Sequence, residues 1–203
     1  MTRVFQAVVI GVSTGGVHAL QKLLGQLPAD FALPVLIVQH MRPDAGSGLA
    51  KLLDKCCALR VKEADELDEI LPGTVYLAPP NYHLLVEREG FLSLSADPYV
   101  SFARPSADVL FESAAAVFGP NLIGVVLTGA NFDGSLGLKT IKQNGGVAIV
   151  QDPADAEARQ MPQAAIAATG VDYVVALDGM AALLQKLAPR RTTMPHDMRG
   201  RDA

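Results

Sequence analysis

Cysteine is nearly absent: of 203 residues only the adjacent Cys56 and Cys57 carry a thiol. Neighbours in a helical pattern do not readily pair, so a disulfide framework and a four-cysteine zinc site are both excluded. Histidine is scarce as well, and its 4 copies are scattered without metal-ligand spacing. No metal and no cofactor are expected. Long hydrophobic runs are missing too. The apolar stretch nearest the N-terminus, "VFQAVVIGV", is far shorter than the roughly 20 residues that span a bilayer, and no small-residue cleavage site follows it. Direct membrane insertion and secretion are therefore not expected, and the cytoplasm is the natural compartment. Basic charge is not in surplus either. A net charge of −4 and a pI near 5.5 leave no nucleic-acid footprint and argue against anionic membrane surfaces.

What the chain has in quantity is core-forming residues: 50% are hydrophobic and 19% charged, the balance of a globular protein. Short apolar, β-branched runs alternate with helical patterns. Strands are expected at 4–11, 34–40, 74–80, 121–129, 147–152 and 171–177, and helices at 16–27, 47–57, 105–119, 134–146, 161–170 and 178–187. The segment "HLLVEREGFLSLS" (83–95) reads as an antiparallel hairpin turning near Glu89-Gly90. This order predicts an α/β fold, a doubly wound, mostly parallel sheet with helices on both faces and a small antiparallel hairpin insertion. Residues 1–188 are expected to form one domain. The tail 189–203, with prolines, both charge signs and no apolar period, is expected to be disordered.

In such sheets function collects where strands end at their C-terminal edge. Ser13, His40 and Asp133 all fall at such ends, and together they are the parts of a nucleophilic triad. The serine lies in "GVSTGG", which reads either as a plain tight turn, as a phosphate cradle, or as a nucleophile at a strand-to-helix corner. A Walker loop needs a lysine after the last glycine, and a dinucleotide fingerprint needs G-x-G-x-x-G; neither is present. G-x-S-x-G is matched, though the order Ser…His…Asp differs from that of α/β-hydrolases. Asp133, just before Gly134, is expected to cap helix 134–144 as well.

The ordered set "GVSTGG", "VQHM", "VYLAPPNYHLLV", "RPSADVLFESAA", "LTGANFDGSLGL" and "GGVAIVQDPADAEARQMPQAAI" resembles the catalytic domain of CheB-type protein-glutamate methylesterases over roughly residues 5–187. The resemblance implies a chemotaxis enzyme that hydrolyses glutamyl methyl esters of a methylated chemoreceptor or receptor-like helical protein, with a secondary glutaminase activity. It maps the nucleophile to Ser13, the base to His40 and the orienting carboxylate to Asp133. It also implies oxyanion donors at Thr14 and Ala130 and places His83 and Met161 at substrate-side positions, with a structural hydrogen bond as the alternative for His83; Arg104, in "RPSAD", is a candidate to face an acidic receptor surface.

Two departures qualify the likeness. The family pattern T-G-M-G-x-D-G reads "TGANFDG" here, with Ala130, Asn131 and Phe132 in the altered places. An alternative reading is thus a catalytically inactive or repurposed homologue serving as a binding or scaffold module in a signalling pathway. Family members also carry a receiver domain ahead of the esterase, whereas this chain starts at its first strand. That predicts either a free-standing esterase, open or regulated by a separate receiver or sensor kinase protein, or an excised catalytic fragment.

Overall fold

The computed structural model describes residues 4–42 and 48–189. The strands β1 (Ala7–Val12), β2 (Val35–Gln39), β3 (Arg60–Glu63), β4 (Thr74–Leu77), β7 (Leu122–Val126), β8 (Val147–Gln151) and β9 (Tyr173–Val175) make one sheet among the described residues. Its order is β3-β4-β2-β1-β7-β8-β9, and every pairing is parallel. A second, antiparallel pair joins β5 (His83–Val86) to β6 (Leu92–Ser95).

The apolar runs explain the layering. All six residues of β1 are buried, because alternate side chains enter two different cores. Val8, Ile10 and Val12 join the core under α1 (Gly16–Leu24), α2 (Gly48–Asp54) and α6 (Leu177–Leu187). Ala7 and Val9 join the core under α3 (Ala107–Phe118), α4 (Ser135–Gln143) and α5 (Gln160–Ala168). In α1, Leu20, Leu23 and Leu24 share one buried stripe at 0% exposure, each contributing on the order of 2 kcal/mol of burial. The β5–β6 pair lies on the second face, where Leu84, Val86 and Leu92 pack with α3.

Two expectations shift. β3, "RVKE", carries no apolar run and was not anticipated; it is a short edge strand whose charged side chains stay at least partly exposed while Val61 turns inward. The second helix ends at Asp54, short of the two cysteines, and the Asp54 carboxylate accepts the Val61 N–H as the chain turns into β3. Ser47, its expected start, and residues 190–203 of the expected tail lie outside the described residues.

The chain passes from β1 to β2 on one side of the sheet centre and returns to β7 on the other. The loops after β1, β2 and β7 therefore open at one switch point, where an open parallel sheet leaves a crevice. Gly11 matters to this crevice. A Cβ there would come within 2.8 Å of the Ala107 Cβ, so its absence lets the N-terminus of α3 sit against β1.

Candidate active site

Ser13 follows β1 in a turn built by its glycines. Gly15 has φ +77°, a left-handed conformation that favours glycine, and it forms the N-cap of α1. At Gly16 a Cβ would overlap Gln39 Oε1. One glycine is thus demanded by backbone angle and the next by crowding. The turn is pinned on both sides: Ser13 N–H donates to Thr128 O at 2.9 Å, and Ser13 O accepts Gly16 N–H at 2.8 Å. Thr128 Oγ1 donates to Thr14 O at 2.8 Å and accepts Ala158 N–H at 2.9 Å.

Gln39, the last residue of β2, ties this corner to the next. Its side-chain Nε2 donates to both Ser13 O and His40 O, each at 2.9 Å, from a position 5% exposed. One amide group thereby sets the spacing between two neighbouring strand ends. Its Oε1 has no partner among the described residues.

His40 meets Asp133 directly, with Nε2 2.7 Å from Asp133 Oδ2. The carboxylate is buried and also accepts Ser106 Oγ–H (2.7 Å), Ala107 N–H (2.6 Å) and Asp108 N–H (3.1 Å). Burial alone would raise its pKa, but the bond and charge of His40, then the Ser106 hydroxyl and the Ala107 amide, hold it below the ordinary carboxylate value. Expected to cap its own helix, Asp133 instead caps α3. The α4 N-cap is Gly134, at φ +88° and without a side-chain cap bond, and it turns the chain so that Asp133 points at the neighbouring helix. Ser106, the α3 N-cap, gives its hydroxyl to the same carboxylate. The helix N-terminus thus contributes N–H donors and a positive dipole end to the acid.

A second carboxyl stands close behind. Asp108 is 3% exposed and accepts Gly137 N–H at 2.7 Å. Burial, aided by the charge of Asp133 and opposed by the Gly137 bond, pushes it up to about 6.

The crevice has a volume of about 180 Å³. Ser13, His40 and Asn131 line it with Tyr99, Phe102 and Arg104. Asn131 Nδ2 lies 3.2 Å from His40 Nδ1, and Asn131 Oδ1 accepts Asp133 N–H at 3.1 Å. Among the described residues no hydrogen bond joins the Ser13 hydroxyl to the imidazole.

The remaining sequence candidates divide by position. The backbone N–H groups of Thr14 and Ala130 are unclaimed among the described residues, and both residues are exposed beside the nucleophile loop. Arg104 reaches the crevice wall, but its guanidinium donates to Asn81 Oδ1 and to the carbonyls of Ala96 and Asp97 while lying 4.7 Å from the Tyr99 ring centroid. It holds the 96–104 loop together. His83 does not face the crevice: it is 1% exposed, with Nδ1 accepting Ser106 N–H and Nε2 left to donate to Pro98 O. These bonds make it a support under Ser106, the structural hydrogen-bonding role that was its alternative reading. Met161, 1% exposed, is likewise buried, against Gly129. Being covered, it shapes the loop rather than lining the crevice.

Gln39, Ser106, Asp108 and Asn131 were not singled out as site residues from the sequence. A lone polar residue closing the apolar run "VLIVQ" was the available signal for Gln39. Nothing in the spacing of Asp108 or Asn131 announces that the fold brings them to the same carboxylate and imidazole.

Comparison with known proteins identifies the family and the fold. The family model described as CheB methylesterase matches residues 8–184. A protein of Leptospira interrogans serovar copenhageni named "Putative protein-glutamate methylesterase/protein-glutamine glutaminase" is 51% identical over 183 residues, covering 90% of this chain and 95% of that one. A Methanosarcina mazei protein named "Protein-glutamate methylesterase/protein-glutamine glutaminase 2" is 42% identical over 193 residues, covering 92% of this chain and 53% of its own length. Among solved structures, the Thermotoga maritima CheB methylesterase catalytic domain superposes with a TM-score of 0.87 at 35% identity, covering 91% of this chain and 99% of that one.

Proposed function

The chain belongs to the CheB methylesterase family, and from that premise we propose that it hydrolyses glutamyl γ-methyl esters of methylated chemoreceptors through Ser13, His40 and Asp133. The observation that carries the triad is the convergence of the three strand-end loops: Asp133 holds one imidazole nitrogen at 2.7 Å, and the imidazole shares a crevice with the serine. At about 180 Å³ the crevice is smaller than the roughly 300–1,000 Å³ pockets that bury drug-sized ligands. It suits the end of one side chain presented by a larger partner.

In the proposed reaction Asp133 stays ionised and accepts from His40 Nε2–H, which leaves the Nδ1 lone pair as the base. Ser13 Oγ attacks the ester carbonyl carbon, and its proton passes to Nδ1. The tetrahedral oxyanion takes hydrogen bonds from the unclaimed N–H groups of Thr14 and Ala130. The C–O bond to methoxide then breaks, and methoxide leaves as methanol with the proton from Nδ1. Water, deprotonated by the same nitrogen, cleaves the glutamyl-serine ester and restores Ser13. A glutamine amide would follow the same path and release ammonia, the glutaminase reaction.

The test is methanol release from methylated receptor. Ser13→Ala is expected to lower the rate by a thousandfold or more while the protein stays folded. Retained turnover in that variant removes Ser13 from the mechanism. An inactive wild type would instead favour the scaffold reading.

A further inference from the structure

Asn131 sits where the proposed mechanism needs an open lone pair. With Asp133 Oδ2 on Nε2, the only acceptor position left on the imidazole is Nδ1, and a neutral ring nitrogen has one lone pair. That lone pair faces Asn131 Nδ2 at 3.2 Å. The amide cannot be turned over without cost. Its Oδ1 already accepts Asp133 N–H at 3.1 Å, so a flip would set its NH2 against an N–H donor. The side chain is held at both ends: one contact is to the base and the other to the backbone of the acid that orients the base. Meanwhile Ser13 Oγ has no hydrogen bond to His40. Asn131 is only half-buried and lines the crevice, so an entering group can reach it.

Resting on the triad reading, we propose that Asn131 is a displaceable latch. At rest its amide occupies the Nδ1 lone pair, keeps His40 in the tautomer that donates to Asp133, and blocks proton transfer from Ser13. Substrate entering the crevice turns the amide aside and frees the base. Asn131 is thus a positioning residue acting through His40, and it ties nucleophile activation to occupancy of the cleft.

The test compares the wild-type chain with Asn131→Ala and Asn131→Asp, reading the rate at which a fluorophosphonate labels Ser13 and the 15N resonance of the His40 ring nitrogens. Removing one hydrogen bond of ordinary strength predicts labelling faster by about threefold to tenfold in N131A. The unprotonated nitrogen should move downfield as it loses its donor. N131D places an acceptor against Nδ1, demands a proton there, and should label more slowly than the wild type. A structural role alone would move both variants in the same direction. Labelling of wild-type Ser13 with no acceleration in N131A, or an unmoved nitrogen resonance, overturns the latch and leaves the triad standing. Absence of label at Ser13 in every form instead removes the triad reading, and the latch falls with it.

Discussion

Replacing Asp133 by Asn separates two duties that this geometry assigns to one carboxylate. The acid accepts four donors: His40 Nε2–H and Ala107 N–H on Oδ2, Ser106 O–H and Asp108 N–H on Oδ1. An asparagine offers one oxygen and one NH2. With the NH2 in the Oδ2 position, Ala107 N–H faces a donor; with it in the Oδ1 position, Asp108 N–H does. Ser106 can rotate its hydroxyl and His40 can change tautomer, but a backbone N–H can do neither. Either orientation therefore orphans one buried N–H, at a cost of about 1–3 kcal/mol. Loss of negative charge at the α3 N-terminus adds about 0.3–2 kcal/mol. D133N is expected to be less stable by about 2–4 kcal/mol in denaturant melts at pH 7, and to lose methylesterase turnover by about four orders of magnitude through the wrong imidazole tautomer. The sign of the pH dependence follows from the depressed pKa. The wild-type advantage is present above the unfolded carboxylate value near 3.8 and is lost as the pH falls through the lower native value. If D133N melts with the wild type at pH 7, the carboxylate does not cap α3 and the reasoning fails.

Further outcomes follow from the same contacts. Gln39→Leu strips the amide bridge from Ser13 O and His40 O; we expect about 1–3 kcal/mol of destabilisation and a kcat lowered roughly tenfold, and a kcat equal to wild type would show that the bridge does not set the spacing. Gly129→Ala would drive a methyl into Met161 Sδ and to within 3.0 Å of Ser13 Cβ. A loss of about 1–3 kcal/mol is expected, with recovery when Met161→Ala is added; failure of that rescue argues against a simple steric cause. For Asp108, burial lifts the native pKa from 3.8 to about 6, so the stability this carboxyl contributes below pH 4 is lost as the pH rises through about 6. Asp108→Asn keeps an acceptor for Gly137 N–H and stays neutral, so its stability relative to wild type should increase between pH 4 and 7 in melts at several pH values; parallel curves would contradict this.

Much of the architecture was legible because it rests on short-range pattern. "AVVIGV", "VLIV" and "LIGVV" are apolar without interruption because each is covered on both faces, and α1 between the first two announces itself by a single leucine stripe and a glycine stop. Strand ends then locate Ser13, His40 and Asp133 at one edge. β3 escaped because an edge strand needs backbone partners on one side only and tolerates arginine, lysine and glutamate where a central strand does not.

By itself the sequence determined the alternation of strand and helix, the glycine corner around Ser13 and the common rim of the three polar residues, since these depend on local periodicity and on which backbone angles a residue tolerates. Only the tertiary structure decided that Asp133 caps α3 instead of α4, that His83 and Met161 lie under the crevice, that Arg104 is tied into its own loop, and that Asn131 faces the imidazole. Each of these is a contact between segments separated by tens of residues. A side chain's partner there is chosen by where the sheet delivers another backbone, and no local spacing encodes that delivery.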